Sequence, residues 1–150
     1  MPAAPEGSIE IAAWRGLVRV QGALRRELDT ALRASEGISL WDYTVLRTLS
    51  GSRGGCLRMT ELARATDYTP SGLTRLVDRL ERTGLVRRDP CPDDGRGSVA
   101  TLTPEGQKAF LRARRTHVAG VREQFLERFD DRELAQMAEF WERLLPGSTT

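Results

Sequence analysis

The sequence predicts a mainly α-helical chain with one small β-hairpin serving as a wing, and three observations lead there. Apolar residues recur every three or four positions over most of the chain, as one buried helix face requires. Two β-rich runs, "LVRRD" and "SVATLT", flank the turn-type stretch "PCPDDGRG", which makes a hairpin. Thr-Pro pairs at 69–70 and 103–104 mark helix starts, because proline at the first helical position gives up an N–H that would have no partner there anyway.

Taken in order, residues 1–8 read as a tail. A first helix runs from Ile9 to about Ala34, with Leu17, Val20, Leu24, Leu28 and Leu32 on one side. "SEGIS" breaks it, and a second helix spans about Ser39 to Leu49. "SGSRGG" is a loop, and "CLRM" can form a minimal strand. Thr60 caps a brief third helix through Thr66, and Asp67 and Tyr68 make a tight connection. Thr69 caps the fourth helix, which ends at Thr83 with Gly84 as its left-handed stop. After the hairpin, a fifth helix extends from Pro104 to about Arg128. Asp130 and Glu133 form a capping box for a last helix whose Leu134, Met137, Trp141 and Leu144 face inward.

Helix, helix, short helix, tight turn, helix, hairpin is the order of a winged helix-turn-helix. The expected lobe is 38–103 within one domain, 9–146, with 147–150 a second tail. The first and fifth helices are oversized: about 25 residues each, hence ~37 Å at 1.5 Å per residue. A compact body of this length has a radius of gyration near ~15 Å. Such helices need a partner for their apolar stripes, and the simplest is a second copy of the chain. The segments 9–34 and 104–146 are therefore expected to dimerise.

Composition narrows the functions. The 150 residues carry a net charge of +2, and the excess lies in residues 53–103, where nine arginines face seven acids. No apolar run approaches the ~20 residues of a membrane span, and the N-terminus lacks a secretory pattern, so a cytoplasmic setting is expected. Two cysteines, Cys56 and Cys91, and a single histidine, His117, give no metal site and no His-based catalytic set. Paired carboxylates, a nucleophile–base pair and a phosphate-cradling glycine loop are absent too. An enzyme is not expected, and no cofactor.

The stretch "TPSGLTRLVDRLERTGLVRR" carries the functional reading. Leu73, Leu76, Val77 and Leu80 form its buried stripe. The other face presents Ser71, Thr74, Arg75, Asp78, Arg79 and Arg82. Its leading end is small and hydroxylic, so it can approach a base edge closely, and arginine suits bidentate contact with guanine or phosphate. Arg87 and Arg88 in one hairpin strand, and Arg96 at its tip, extend the basic surface. By itself such a face could be a wetted helix side. The turn before it and the basic hairpin after it favour duplex DNA as partner. The competing reading is a winged-helix module that uses the same face on a protein, and apolar residues there would have supported it.

Residues 57–106, "LRMTELARATDYTPSGLTRLVDRLERTGLVRRDPCPDDGRGSVATLTPEG", resemble the winged-helix core of the MarR family of bacterial transcriptional regulators. The resemblance implies a homodimeric repressor on a pseudo-palindromic operator, with the fourth helix in the major groove and the wing in the minor groove. By position it implies groove-facing roles for Ser71, Thr74 and Arg75, and Thr69, Arg79 and Arg88 on the same helix and hairpin are read as further DNA contacts. It makes Arg96 the minor-groove arginine and Asp94 the acid that braces the wing. Two departures stand out: Gly95 where a second wing arginine is common, and Asp67-Tyr68 where Gly and an aliphatic residue are common. The resemblance further implies release by a small aromatic or phenolic ligand, for which Trp14, Trp41, Tyr43 and His117 are the pocket candidates. Aromatics at helical spacing are usually core residues, and that is the preferred reading of these four. Cys91 lies near Arg87 and Arg88, which would favour its thiolate, but an inert thiol is the preferred reading.

Overall fold

The computed structural model describes residues 8–90 and 97–149. Six helices and three strands follow in order: α1 (Ile9–Glu36), α2 (Leu40–Gly51), β1 (Cys56–Arg58), α3 (Met59–Ala65), α4 (Pro70–Arg82), β2 (Val86–Pro90), β3 (Ser98–Leu102), α5 (Pro104–Gln124) and α6 (Asp131–Leu144). Single 3-10 turns occupy Arg53–Gly55 and Leu126–Arg128. Among the described residues, no helix is long and apolar enough to cross a membrane. The chain divides into two compact units, Asp29–His117 and Met1–Leu28 with Val118–Thr150, so the boundaries fall inside α1 and α5.

The Asp29–His117 unit holds the core. Leu32, Leu46, Leu49, Leu62, Leu73, Leu80, Val45, Val77 and Val86 are its largest fully buried side chains. The predicted stripe of α4 is therefore the buried one: Leu73, Leu76, Val77 and Leu80 all lie inside. The hairpin gains a third strand. β3 pairs antiparallel with β2, Val86 opposite Leu102, and with β1, Cys56 opposite Thr101, giving the order β1-β3-β2. Thr103 caps α5 by accepting from the Gly106 N–H at 2.9 Å and donates to the Gly84 carbonyl at 2.6 Å. The start of α5 is thus pinned to the end of α4.

Three expectations need correction. Thr60 is not the cap of α3, because the helix begins directly off β1 with Arg58 at the cap position. Glu61 supplies the capping contact, accepting from the Arg58 N–H at 3.1 Å. The fifth helix stops at Gln124, four residues early, where Phe125 leaves helical geometry (φ −130°, ψ −62°). The ring of Phe125 then packs 5.3 Å from that of Phe129. On α6 the Asp130–Glu133 capping box forms as expected. Leu134 and Met137 are half-buried, but Trp141 is exposed and Leu144 is 69% exposed. Among the described residues, the unit of 1–28 and 118–150 has too few elements to cover them.

Candidate nucleic-acid interface

The turn between α3 and α4 is built from local chemistry. Asp67 takes φ +54°, a left-handed conformation that aspartate tolerates better than most residues because its short side chain can hydrogen-bond locally. Tyr68 follows, with its N–H on the Ala63 carbonyl at 3.0 Å. Its ring meets Trp41 edge-on, with centroids 4.6 Å apart. Gly72 is required here, since a Cβ at that position would lie 2.8 Å from the Tyr68 ring. Trp41, Tyr68 and Gly72 therefore set the angle at which α4 leaves the turn.

Thr69 caps α4 with its hydroxyl, accepting from the Gly72 N–H at 3.2 Å, and Pro70 opens the helix. Ser71, Thr74 and Arg75 are exposed on the outer face. Thr74 turns its hydroxyl proton back to the Pro70 carbonyl at 2.9 Å, which leaves its oxygen free to accept. Among the described residues, neither the Ser71 hydroxyl nor the Arg75 guanidinium has a hydrogen-bond or ion-pair partner within the chain. An exposed arginine with all its donors free, one turn from a capped helix start, is suited to an anionic or base-edge partner.

The other arginines are placed differently. Arg79 donates to Asp42 of α2 at 2.6 Å, and that carboxylate is buried. Arg88 lies 2.8 Å from Asp78 of α4, its own backbone N–H donates to Glu81 at 3.1 Å, and its Nε is buried without a hydrogen bond. Arg87 pairs with Asp89 along the exposed strand at 2.9 Å. Asp78 and Glu81 thus brace β2 against α4. Their spacing on one helix was visible in the sequence, but nothing there tied residue 42 to residue 79. Asp94, Arg96, Gly95 and Cys91 lie outside the described residues.

Of the four ligand-pocket candidates, Trp41, Tyr43 and His117 belong to the Asp29–His117 unit and Trp14 to the other. Tyr43 is buried and stacks on His117 at 4.5 Å and on Phe110 at 5.9 Å. Trp41 belongs to the turn described above. Trp14 is 64% exposed on α1. Burial lowers the His117 pKa from its ordinary value near 6.5, and nearby Arg47 adds to the effect. Burial also raises that of Tyr43. Both rings are therefore neutral at pH 7, which suits a stacked core pair. Among the described residues no cluster of His, Cys, Asp or Glu could hold a metal ion.

Comparison with known proteins agrees with this architecture. The MarR family profile matches residues 36–97. The HTH-type transcriptional repressor Rv2887 of Mycobacterium tuberculosis is 38% identical over 97 residues, 65% of this chain and 68% of the relative. The crystal structure of AbsC, a MarR family transcriptional regulator from Streptomyces coelicolor, superposes with a TM-score of 0.84 at 33% identity, covering 90% of each chain. Sco3205 of the same organism, a MarR family regulator crystallised in complex with DNA, gives 0.85 at 34% identity over 93% of this chain and 94% of its own. With this agreement in sequence and fold over most of its length, the chain belongs to the MarR family of transcriptional regulators.

Proposed function

We propose that this regulator binds double-stranded DNA in a sequence-specific manner, as a homodimer on a pseudo-palindromic operator, and acts as a repressor. The observation that carries the reading is the outer face of α4: Thr69, Ser71, Thr74 and Arg75 are exposed together, with the Arg75 guanidinium uncommitted among the described residues. The solved complex of Sco3205 with DNA supports it. Arg96, with Asp94 bracing it, is the proposed minor-groove contact, since a narrow A·T-rich groove concentrates negative potential. The polar character of the α4 face speaks against a protein-binding module.

The homodimer is supported by the unit of 1–28 and 118–150. Ile9, Trp14, Leu17, Val18 and Val20 of α1, and Phe140, Trp141, Leu144 and Leu145 at the end of the chain, are all exposed. A groove of about 450 Å³ there is lined by Leu17, Val20, Leu24, Phe125, Phe129, Met137 and Trp141. Apolar surface on that scale needs a partner, and a second copy supplies one. A small aromatic ligand is the proposed release signal, with Trp14, Trp41, Tyr43 and His117 as its candidate contacts.

Selection of bound duplexes from a random pool tests the reading. Enrichment of an inverted repeat is the expected result. No enrichment at low ionic strength would refute DNA binding, and a lone half-site would refute the dimer. A panel of benzoate and phenol derivatives added to the gel shift then tests release.

A further inference from the structure

The arginines of the reading helix divide into two kinds, and Arg79, half exposed, reaches across to α2. Its Nη2 donates to Asp42 Oδ1 at 2.6 Å, a bond spanning 37 positions of sequence. Asp42 is 5% exposed, and its other oxygen accepts from the Ser39 N–H at 2.8 Å and the Ser39 hydroxyl at 2.7 Å. Asp29, near the end of α1, accepts from the Leu40 N–H at 2.8 Å and from Arg33 at 2.7 Å. Two carboxylates therefore fasten the Glu36–Ser39 elbow to the start of α2. Arg79 joins α4 to that elbow, within the Asp29–His117 unit.

We infer that Arg79 is a positioning residue, which sets the reading helix against the α1–α2 elbow through Asp42. A buried carboxylate with a charged, hydrogen-bonded partner is held in place strongly, because losing the partner leaves an uncompensated charge in a low-dielectric surrounding. The planar guanidinium also fixes direction, which a point charge does not. α4 is thus anchored near its C-terminal half by Arg79 and at its N-terminal end by the Trp41–Tyr68–Gly72 contact. The residues between the two anchors, Thr74 and Arg75, are left to meet the ligand. The role rests on the DNA-binding reading above.

The experiment is a salt titration of operator binding by the full-length chain, using the selected duplex, for wild type, Arg79→Gln, Asp42→Asn and the double variant. A positioning role lowers affinity about 10-fold for Arg79→Gln while the slope of log affinity against log salt stays at the wild-type value. A phosphate contact would flatten the slope by close to one unit per subunit, and that result would overturn the inference. Asp42→Asn discriminates by sign. It removes a negative charge from a DNA-binding protein, so bulk electrostatics predicts tighter binding, whereas loss of the anchor predicts weaker binding. Equal or tighter binding would overturn the inference. The double variant removes both charges together, leaves no buried ion unpaired, and is expected to bind no more weakly than Arg79→Gln. Additive losses would show that the two residues act separately and would likewise overturn it. Should the wild-type chain bind no selected duplex, the DNA reading itself falls, while a urea-unfolding cycle over the same four proteins still reports whether 42 and 79 are coupled.

Discussion

Arg75 and Arg79 sit one turn apart on the same helix, yet their surroundings give them different roles. Arg75 has its donors free among the described residues, whereas Arg79 gives one N–H of its guanidinium to Asp42. Arg75→Ala is expected to weaken operator binding at least ~10-fold, the cost of one bidentate base contact, with an unchanged circular dichroism spectrum. Fluorescence anisotropy with a labelled operator is the measurement, and wild-type affinity would remove Arg75 from the interface. His117 gives a prediction of a different sort. Its pKa is lowered in the folded chain, so the unfolded chain binds the proton more readily. Stability from this residue is complete above the unfolded value near 6.5 and is lost as pH falls below it toward the folded value. Urea midpoints measured between pH 8 and pH 5 should fall for the wild type and fall less for His117→Phe. Parallel declines would show that other groups carry the acid sensitivity.

At the scale of elements, the join between β2 and α5 leaves the least room. A Cβ on Gly106 would stand 2.0 Å from the Leu85 carbonyl oxygen and 2.7 Å from Leu102. The first atom is backbone and cannot swing away. Gly106→Ala is expected to cost ~1–3 kcal/mol by overpacking, read as a lowered urea midpoint. An unchanged midpoint would mean that α5 can shift without loss. Such elements were legible where their causes are local. The Thr-Pro starts of α4 and α5, the Gly84 stop at φ +74° and the α6 capping box all depend on residues within a few positions of each other. Legibility ended where partners are distant. β1 is three residues long and owes its existence to β3, whose Thr101 pairs with Cys56. The early end of α5 has no proline or glycine to announce it. For the candidate site, the outer-face residues of α4 followed from periodicity. The commitment of Arg79 to Asp42 and of Arg88 to Asp78 did not, because each acid reaches its arginine only through the fold. The ring contacts were hidden for a related reason: Trp41 and Tyr43, two apart in sequence, meet Tyr68 and His117 respectively.

For the molecule as a whole, the question is what covers the apolar surface of residues 1–28 and 118–150. Leu17 and Val20 lie in the groove beside Phe125, Phe129 and Trp141. Leu17→Glu would place a charge there, and burying an unpaired carboxylate at an interface is costly. Sedimentation velocity should show the variant as a monomer where the wild type is a dimer, with operator affinity reduced in step. A variant that still dimerises would place the pairing surface elsewhere.

The strand order β1-β3-β2 joins a segment that precedes the helix-turn-helix to one that follows it. Every rung of both outer strands depends on β3, so peeling Ser98–Leu102 away would strip hydrogen-bond partners from Cys56–Arg58 and Val86–Pro90 at once. Segments far apart in sequence are thereby tied to one and the same strand. A shortened version ending at Pro90 would lack that strand, and amide exchange is expected to show Cys56–Arg58 and Val86–Pro90 both losing protection.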